Sequence, residues 1–179
     1  MTWSPLALWA AVERFAHARG AVPGTFLWNL SQGSVVPGPS ELLMVPLAIA
    51  DPPRTTVLAV AAWTGSVIGG CVAYGIGALA FEPLAKPVLM LLGVNDAMIV
   101  QVTSLMAKYG WLLIVGSTVT PISAKVIMIT AGATGLPFSG FIAGLAAGRL
   151  LRYTIIVALL RASAGPLHHL REQLLHRPA

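Results

Sequence analysis

Long apolar stretches alternate along this chain with short polar or proline-rich breaks. Residues 55–81 carry no charge, and a helix of that length is about 40 Å long, enough to cross an apolar core of about 30 Å with tilt. Residues 137–162 predict a second span, although Arg149 and Arg152 lie inside it. Two further apolar stretches are broken in the middle. Residues 21–50 are interrupted by Pro37-Gly38-Pro39-Ser40-Glu41, and residues 109–136 by Thr118-Val119-Thr120-Pro121, with Lys125 close behind. Each half is too short to cross alone, and proline removes a donor and clashes with the preceding turn. Short apolar halves meeting at a polar break predict re-entrant hairpins, tipped by Pro37, Gly38, Pro39 and Ser40 in the first and by Thr120 and Pro121 in the second.

Amphipathic segments flank this pattern. Residues 1–20 place Leu8, Val12 and Phe15 at helical spacing, with Ser4-Pro5 as cap and first residue and Gly20 as stop, which predicts an interfacial helix. The first charges, Glu13 and Arg14, follow the apolar run instead of preceding it, so no cleavable signal is expected. Residues 82–108 predict a connector whose helix is capped by Asp96 and carries Ile99, Val102 and Met106 as its apolar stripe. Residues 163–179 predict a separate basic surface helix.

The two halves of the 21–162 region resemble each other. Pro37 and Pro121 are each followed four residues later by a charge, Glu41 or Lys125, and then by an apolar run with methionine third; Pro53 and Pro137 each precede a span. A hairpin returns to its own side and a span crosses, so the second hairpin enters from the opposite face. The expected fold is thus an all-α integral membrane protein. It has two inverted repeats, each a re-entrant helical hairpin plus a transmembrane helix, with interfacial amphipathic helices around them. Arg14, Arg19, Arg54, Arg161, Arg171 and Arg177 fall on the side of both termini, and Lys86 and Lys108 on the other, which predicts cytoplasmic termini in a plasma (inner) membrane.

Composition narrows the function. Of 179 residues, 56% are hydrophobic and 9% charged, against about 25% charged in soluble domains. A soluble enzyme, a disordered chain and a nucleic-acid-binding module are excluded, since a small soluble domain buries only about 70% of its chain surface. The basic residues behind the net charge of +5 sit at segment ends or singly inside apolar runs, which suits anionic lipid surfaces better than nucleic acid. Cys71, the single cysteine, can form neither an internal disulfide nor a metal site by itself. No nucleophile–base set and no acidic cluster stands out, so neither catalysis, cofactor nor metal is expected.

Charges inside the spans are the candidate chemistry, because each costs roughly 2.5–3.5 kcal/mol at the bilayer centre on insertion scales. Ser40 is placed to cap a half-helix starting at Glu41, where a carboxylate also suits the dipole. Lys125 sits where the dipole disfavours a cation, so it calls for a negative partner. Glu41 and a lipid phosphate are the two candidates. Along the helix Arg152 lies about 13 Å and Arg149 about 18 Å from Arg161, beyond easy snorkelling for Arg149. Arg152 continues the row Gly140, Gly144, Gly148, a row suited to close helix contact. One carboxylate and three cations suit a phosphate-bearing headgroup.

Tyr109-Gly110-Trp111, Thr120-Pro121-Ile122-Ser123-Ala124-Lys125, Ala131-Gly132, Pro137-Phe138 and Gly148-Arg149-Leu150-Leu151-Arg152-Tyr153 occur in this order. Together with the Pro37–Glu41 tip they resemble the VTT-domain (DedA-like) superfamily, most closely its YqaA-like branch, over roughly residues 25–162. The resemblance implies two opposed hairpins and a role in scrambling lipids or moving lipid carriers. It implies Glu41, Lys125, Arg149 and Arg152 as substrate-handling residues, with Asp51 as a second acidic position. The leading expectation is a lipid transporter or scramblase whose partners are membrane lipids with anionic or phosphate headgroups, with protons and a second copy of the chain as further candidates. The alternatives are a proton-coupled small-ion exporter using Glu41 and a non-catalytic assembly protein.

Overall fold

The computed structural model describes residues 5–34, 36, 38–91, 93–117 and 124–175, and every regular element among them is helical. In chain order these are α1 (Pro5–His17), α2 (Ala21–Ser34), α3 (Glu41–Ala50), α4 (Thr55–Ala80), α5 (Lys86–Leu91), α6 (Asp96–Tyr109), α7 (Trp111–Gly116), α8 (Ala124–Ala133) and α9 (Phe138–Leu175). A 3₁₀ turn, Pro52–Arg54, leads into α4, and a π turn, Phe81–Ala85, joins it to α5. Two stretches, Pro52–Ala85 and Phe138–Ser163, are long and apolar enough to cross a membrane. The 10-residue helices α3 and α8 are each about 15 Å long, half the thickness of an apolar core.

Three expectations need correction. Asn95, not Asp96, caps α6: its extended backbone lets its side chain accept the Met98 N–H at 2.9 Å, while Asp96 is the first helical residue. The connector does not start afresh at Glu82, because the long helix continues through the π turn into α5. The tail is not a separate helix, since α9 runs unbroken for 38 residues through Gly165 and Pro166. A proline deletes one backbone donor, and here the remaining ladder carries the helix past it.

Polarity is distributed inside out. On α2 the buried face consists of Ala21, Thr25, Asn29, Gln32 and Gly33, while Leu27 is 61% exposed. Val57, Val60, Ile68 and Val72 of α4 and Leu150, Leu151, Ile155 and Leu159 of α9 also face outward. In water this arrangement would expose a large apolar surface and bury polar groups to no benefit; against hydrocarbon it is the low-energy one.

With no hydrophobic drive between helices in such surroundings, close van der Waals approach has to hold them together. Glycines provide it. A Cβ on Gly65 or Gly69 of α4 would come under 3.0 Å of the backbone of α2, and one on Gly77 of α4 or Gly132 of α8 would strike the facing helix's backbone carbonyl. Gly144 meets Trp111 of α7 in the same way. Tyr74 Oη donates to the Leu136 carbonyl at 2.6 Å and Trp63 Nε1 to the Ala146 carbonyl at 3.0 Å, which ties α4 to the start and middle of α9. Gly132→Ala is therefore expected to lower stability by about 2 kcal/mol or more, because backbone cannot move aside as a side chain does. Gly75→Ala, with nothing within 4 Å, should be close to neutral. Thermal unfolding in detergent compares the two, and equal midpoints would contradict the packing.

Two apolar clusters form the core. One gathers Leu89, Val102, Met106, Ile127, Ile129 and Phe141, and the other Met44, Leu47, Leu58, Ala62 and Tyr153. Along α4 and α9 the interval between them is occupied by Ser66, Arg149 and Arg152. The candidate site lies at this level.

Candidate functional site

Four segments meet between the clusters. The end of α2 brings Gln32 and Gly33, the following loop brings Gly38, Pro39 and Ser40, and α3 begins there with Glu41. Ser66 comes from α4, Ala124 and Lys125 from the first turn of α8, and Arg149 and Arg152 from α9. They line a cavity of about 350 Å³. The loop is shaped for this position. Gly38 has a φ of 144°, which side chains resist, and a Cβ there would also press on the Gln32 amide. Trp28 Nε1 holds the Pro39 carbonyl at 3.3 Å. Pro37, Thr120 and Pro121, the other expected tip residues, lie outside the described residues.

Glu41 is engaged by α9. Arg152 Nη2 and Nε approach its Oε1 at 2.5 and 2.6 Å, and Ser40 Oγ donates to the same oxygen at 2.9 Å. Two sequence expectations change here. Ser40 makes no side-chain cap to α3, because its hydroxyl is spent on the carboxylate. Glu41 does not pair with Lys125, whose Nζ donates instead to the Val36 carbonyl just past α2. The dipole argument explains the choice: a cation on the first turn of α8 is disfavoured there and favoured at the C-terminal end of another helix, where carbonyls lack partners. Arg152, with its planar and long side chain, reaches the carboxylate that Lys125 leaves.

Arg149 lines the same cavity and makes no hydrogen bond or ion pair with the described residues. A few residues away on α9, Gly148 and Leu145 close a narrower recess beside it with Ser117 and Ile114 of the 111–117 segment. The cavity thus holds three cations and one carboxylate already committed to one of them. The N-terminal ends of α3 and α8 also border it, adding partial positive charge. Such an arrangement can bind an anion. Phosphate oxygens suit it best, since guanidinium offers several donors in one plane.

Asp51 is not part of this group. Its Oδ2 lies 3.1 Å from His17 Nδ1 and 3.4 Å from Arg54 Nε, and Arg54 Nη1 donates to the Ala16 carbonyl at 3.0 Å. That cluster fastens α1 to the corner between α3 and α4. The cavity also contains Gln32 and Ser66, which carry no charge. The signal for Gln32 is the helical spacing of Thr25, Asn29 and Gln32 on one face of α2; Ser66 has no comparable signal. No three of His, Cys, Asp and Glu converge on a metal position among the described residues.

A family model for the VTT domain matches residues 36–162, the interval containing Glu41, Lys125, Arg149 and Arg152. None of the curated proteins and none of the solved structures matches the chain. The family match spans well over half of the sequence and includes both long apolar helices with the cavity between them. This chain accordingly belongs to the VTT-domain (DedA) family of membrane proteins.

Proposed function

We propose that this protein moves phosphate-bearing lipids or lipid carriers across the plasma (inner) membrane, binding the headgroup in the cavity between two opposed re-entrant hairpins. The observation that carries this reading is Arg149: a cation inside the membrane region, beside a cavity, with no carboxylate of its own. An intramembrane cation with no ion pair among the described residues suits an anion that comes and goes. The family is generally regarded as transporter-like, and a transporter is the reading that a cation-lined cavity favours.

Helix neighbours support the inverted repeats. α2 packs on α4 as α7 packs on α9, α1 on α3 as α6 on α8, and α8 against α4 as α3 against α9. Shifting α1–α4 onto α6–α9 thus carries these neighbour pairs onto one another, while the contact of α3 with α4 has no comparable counterpart between α8 and α9. In this reading α2–α3 and α7–α8 are the hairpins, entering from opposite faces, and the termini are cytoplasmic. Single cysteines placed at Asp96 and Glu172 should then label from opposite sides of sealed vesicles; same-side labelling excludes the topology. The Thr120–Lys125 and Gly148–Arg152 motifs support assigning the chain to the YqaA-like branch within this proposal. A proton-coupled exporter loses ground because Glu41, the acid it would use, is held twice by Arg152.

Reconstitution tests the proposal. Liposomes carrying the protein and trace fluorescent lipids of several headgroups should equilibrate phosphate-bearing lipids between leaflets faster than protein-free liposomes, with the coupling read by imposing a proton gradient. Rates no faster than those of protein-free liposomes for every lipid, with and without the gradient, would exclude lipid transport.

A further inference from the structure

The cavity continues as a stripe of buried polar groups. On α2, Gln32, Asn29 and Thr25 follow one another along the inward face, and all three are buried. Gln32 lines the cavity. One turn away the Asn29 Oδ1 accepts the Tyr153 hydroxyl at 2.7 Å, and its Nδ2 donates to the Thr25 carbonyl at 2.9 Å. Thr25 Oγ1 donates to the Ala21 carbonyl at 2.8 Å. The Ala21 N–H in turn donates to the Ala18 carbonyl, which Arg54 Nη1 also approaches at 3.5 Å. The chain of groups thus runs from the cavity to the cluster of His17, Asp51 and Arg54, in which Asp51 is buried and His17 is exposed.

Tyr153 is set across this stripe. It lies one turn beyond Arg149 on α9 and is 2% exposed, with its ring packed in the cluster of Met44, Leu47 and Leu58. Packing alone does not call for polar residues here, since interhelical hydrogen bonds in membranes add only about 0.6 kcal/mol on average.

We propose that the Thr25–Asn29–Gln32 stripe is the route by which a headgroup passes between the cavity and the α1 side of the membrane, with the Tyr153–Asn29 hydrogen bond as its closed gate. This rests on the headgroup-binding reading above and adds a path to it. A phosphate needs a donor at each step through a low-dielectric interior, and the Asn29 amide and the Thr25 and Tyr153 hydroxyls supply them once the Tyr153–Asn29 bond opens and Thr25 releases the Ala21 carbonyl. His17 and Arg54 then receive the anion at the exit.

The test is the double variant Asn29→Leu/Tyr153→Phe, which removes both partners of the gate bond together. Two readouts are needed. Binding of short-chain phosphatidylglycerol to the detergent-solubilised protein, followed calorimetrically, reports the cavity. Dithionite quenching of fluorescent phosphatidylglycerol in phosphatidylcholine–phosphatidylglycerol vesicles reports translocation. The double variant should bind as the parent does and translocate about tenfold more slowly or worse, a factor equivalent to about 1.4 kcal/mol on the barrier. Thr25→Val, nearly isosteric and outside the gate, should slow translocation in the same direction even if the double variant folds poorly. Parental translocation rates in Thr25→Val and in a folded double variant would overturn the route and leave the stripe as helix glue, with the transport reading intact. A parent that neither binds nor translocates the lipid would overturn both.

Discussion

Arg149→Gln is expected to abolish lipid translocation while the protein stays folded. In the structure this guanidinium reaches the cavity without a carboxylate partner, so removing its charge deprives no described group of an ion pair and relieves repulsion from Arg152 and Lys125. Stability should therefore be unchanged or slightly higher. The loss falls on the bound anion: a charge-assisted hydrogen bond contributes about 1.5–3 kcal/mol, and a headgroup held by one fewer cation also loses orientation. Arg149→Lys keeps the charge but not the planar fork, so it should retain part of the activity. Thermal midpoints in detergent, measured beside translocation in liposomes, separate the cases. Normal translocation by a well-folded Arg149→Gln protein would remove the residue from the mechanism, and a fall in midpoint that parallels the loss of activity would make it structural.

The second large effect concerns Glu41, and its sign differs. Glu41 and Arg152 side chains are 22% and 35% exposed, so their pair lies between an exposed pair worth about 0–1 kcal/mol and a fully buried one whose breakage costs about 3–5 kcal/mol. Glu41→Gln should lower stability by about 2 kcal/mol, because it leaves three neighbouring cations with no anion among them. Arg152→Gln should cost less, since Glu41 can then turn to Arg149 on the same helix face. The double variant Glu41→Gln/Arg152→Gln should be more stable than Glu41→Gln alone, and the cycle should show a coupling of about 1 kcal/mol or more. Glu41→Gln should also bind phosphate lipids more tightly, as the internal competitor for Arg152 is gone. Additive effects of the two substitutions would contradict the ion pair, and weakened lipid binding in Glu41→Gln would contradict its role as competitor.

Much of this protein was legible along the chain. The uncharged run before Phe81 and the proline before Phe138 mark the two long helices, because hydrocarbon tolerates backbone only when each N–H and C=O is bonded within its own segment. The breaks at Pro39-Ser40 and after Gly116 mark where short helices must stop, for proline and glycine act on the local backbone regardless of context. The interior aim of Arg152 also followed from the glycine row preceding it. Such features depend on local chemistry and period, and a linear reading has access to both.

Pairing belonged to the tertiary structure. Sequence spacing made Glu41 and Lys125 equivalent positions of two similar segments and therefore natural partners. The actual partner of Glu41 is Arg152, 111 residues away, and Lys125 turns to the Val36 carbonyl. Which cation reaches a carboxylate depends on where α8 and α9 are held around α4, and glycine contacts such as Gly77 against Ile129 and Gly132 against Tyr74 fix α8 on α4. The same geometry separates Asp51 from the cavity and assigns it to His17 and Arg54, and it turns Thr25, Asn29 and Gln32 inward to meet Ser66 and Tyr153. The sequence by itself determined which segments are helical, which are apolar and where ionisable groups sit in them, since each of these is a property of neighbouring residues. The tertiary structure decided which charges meet and which one is left for an anion, because electrostatic partners are chosen over a few ångströms of space between segments that are far apart in the chain.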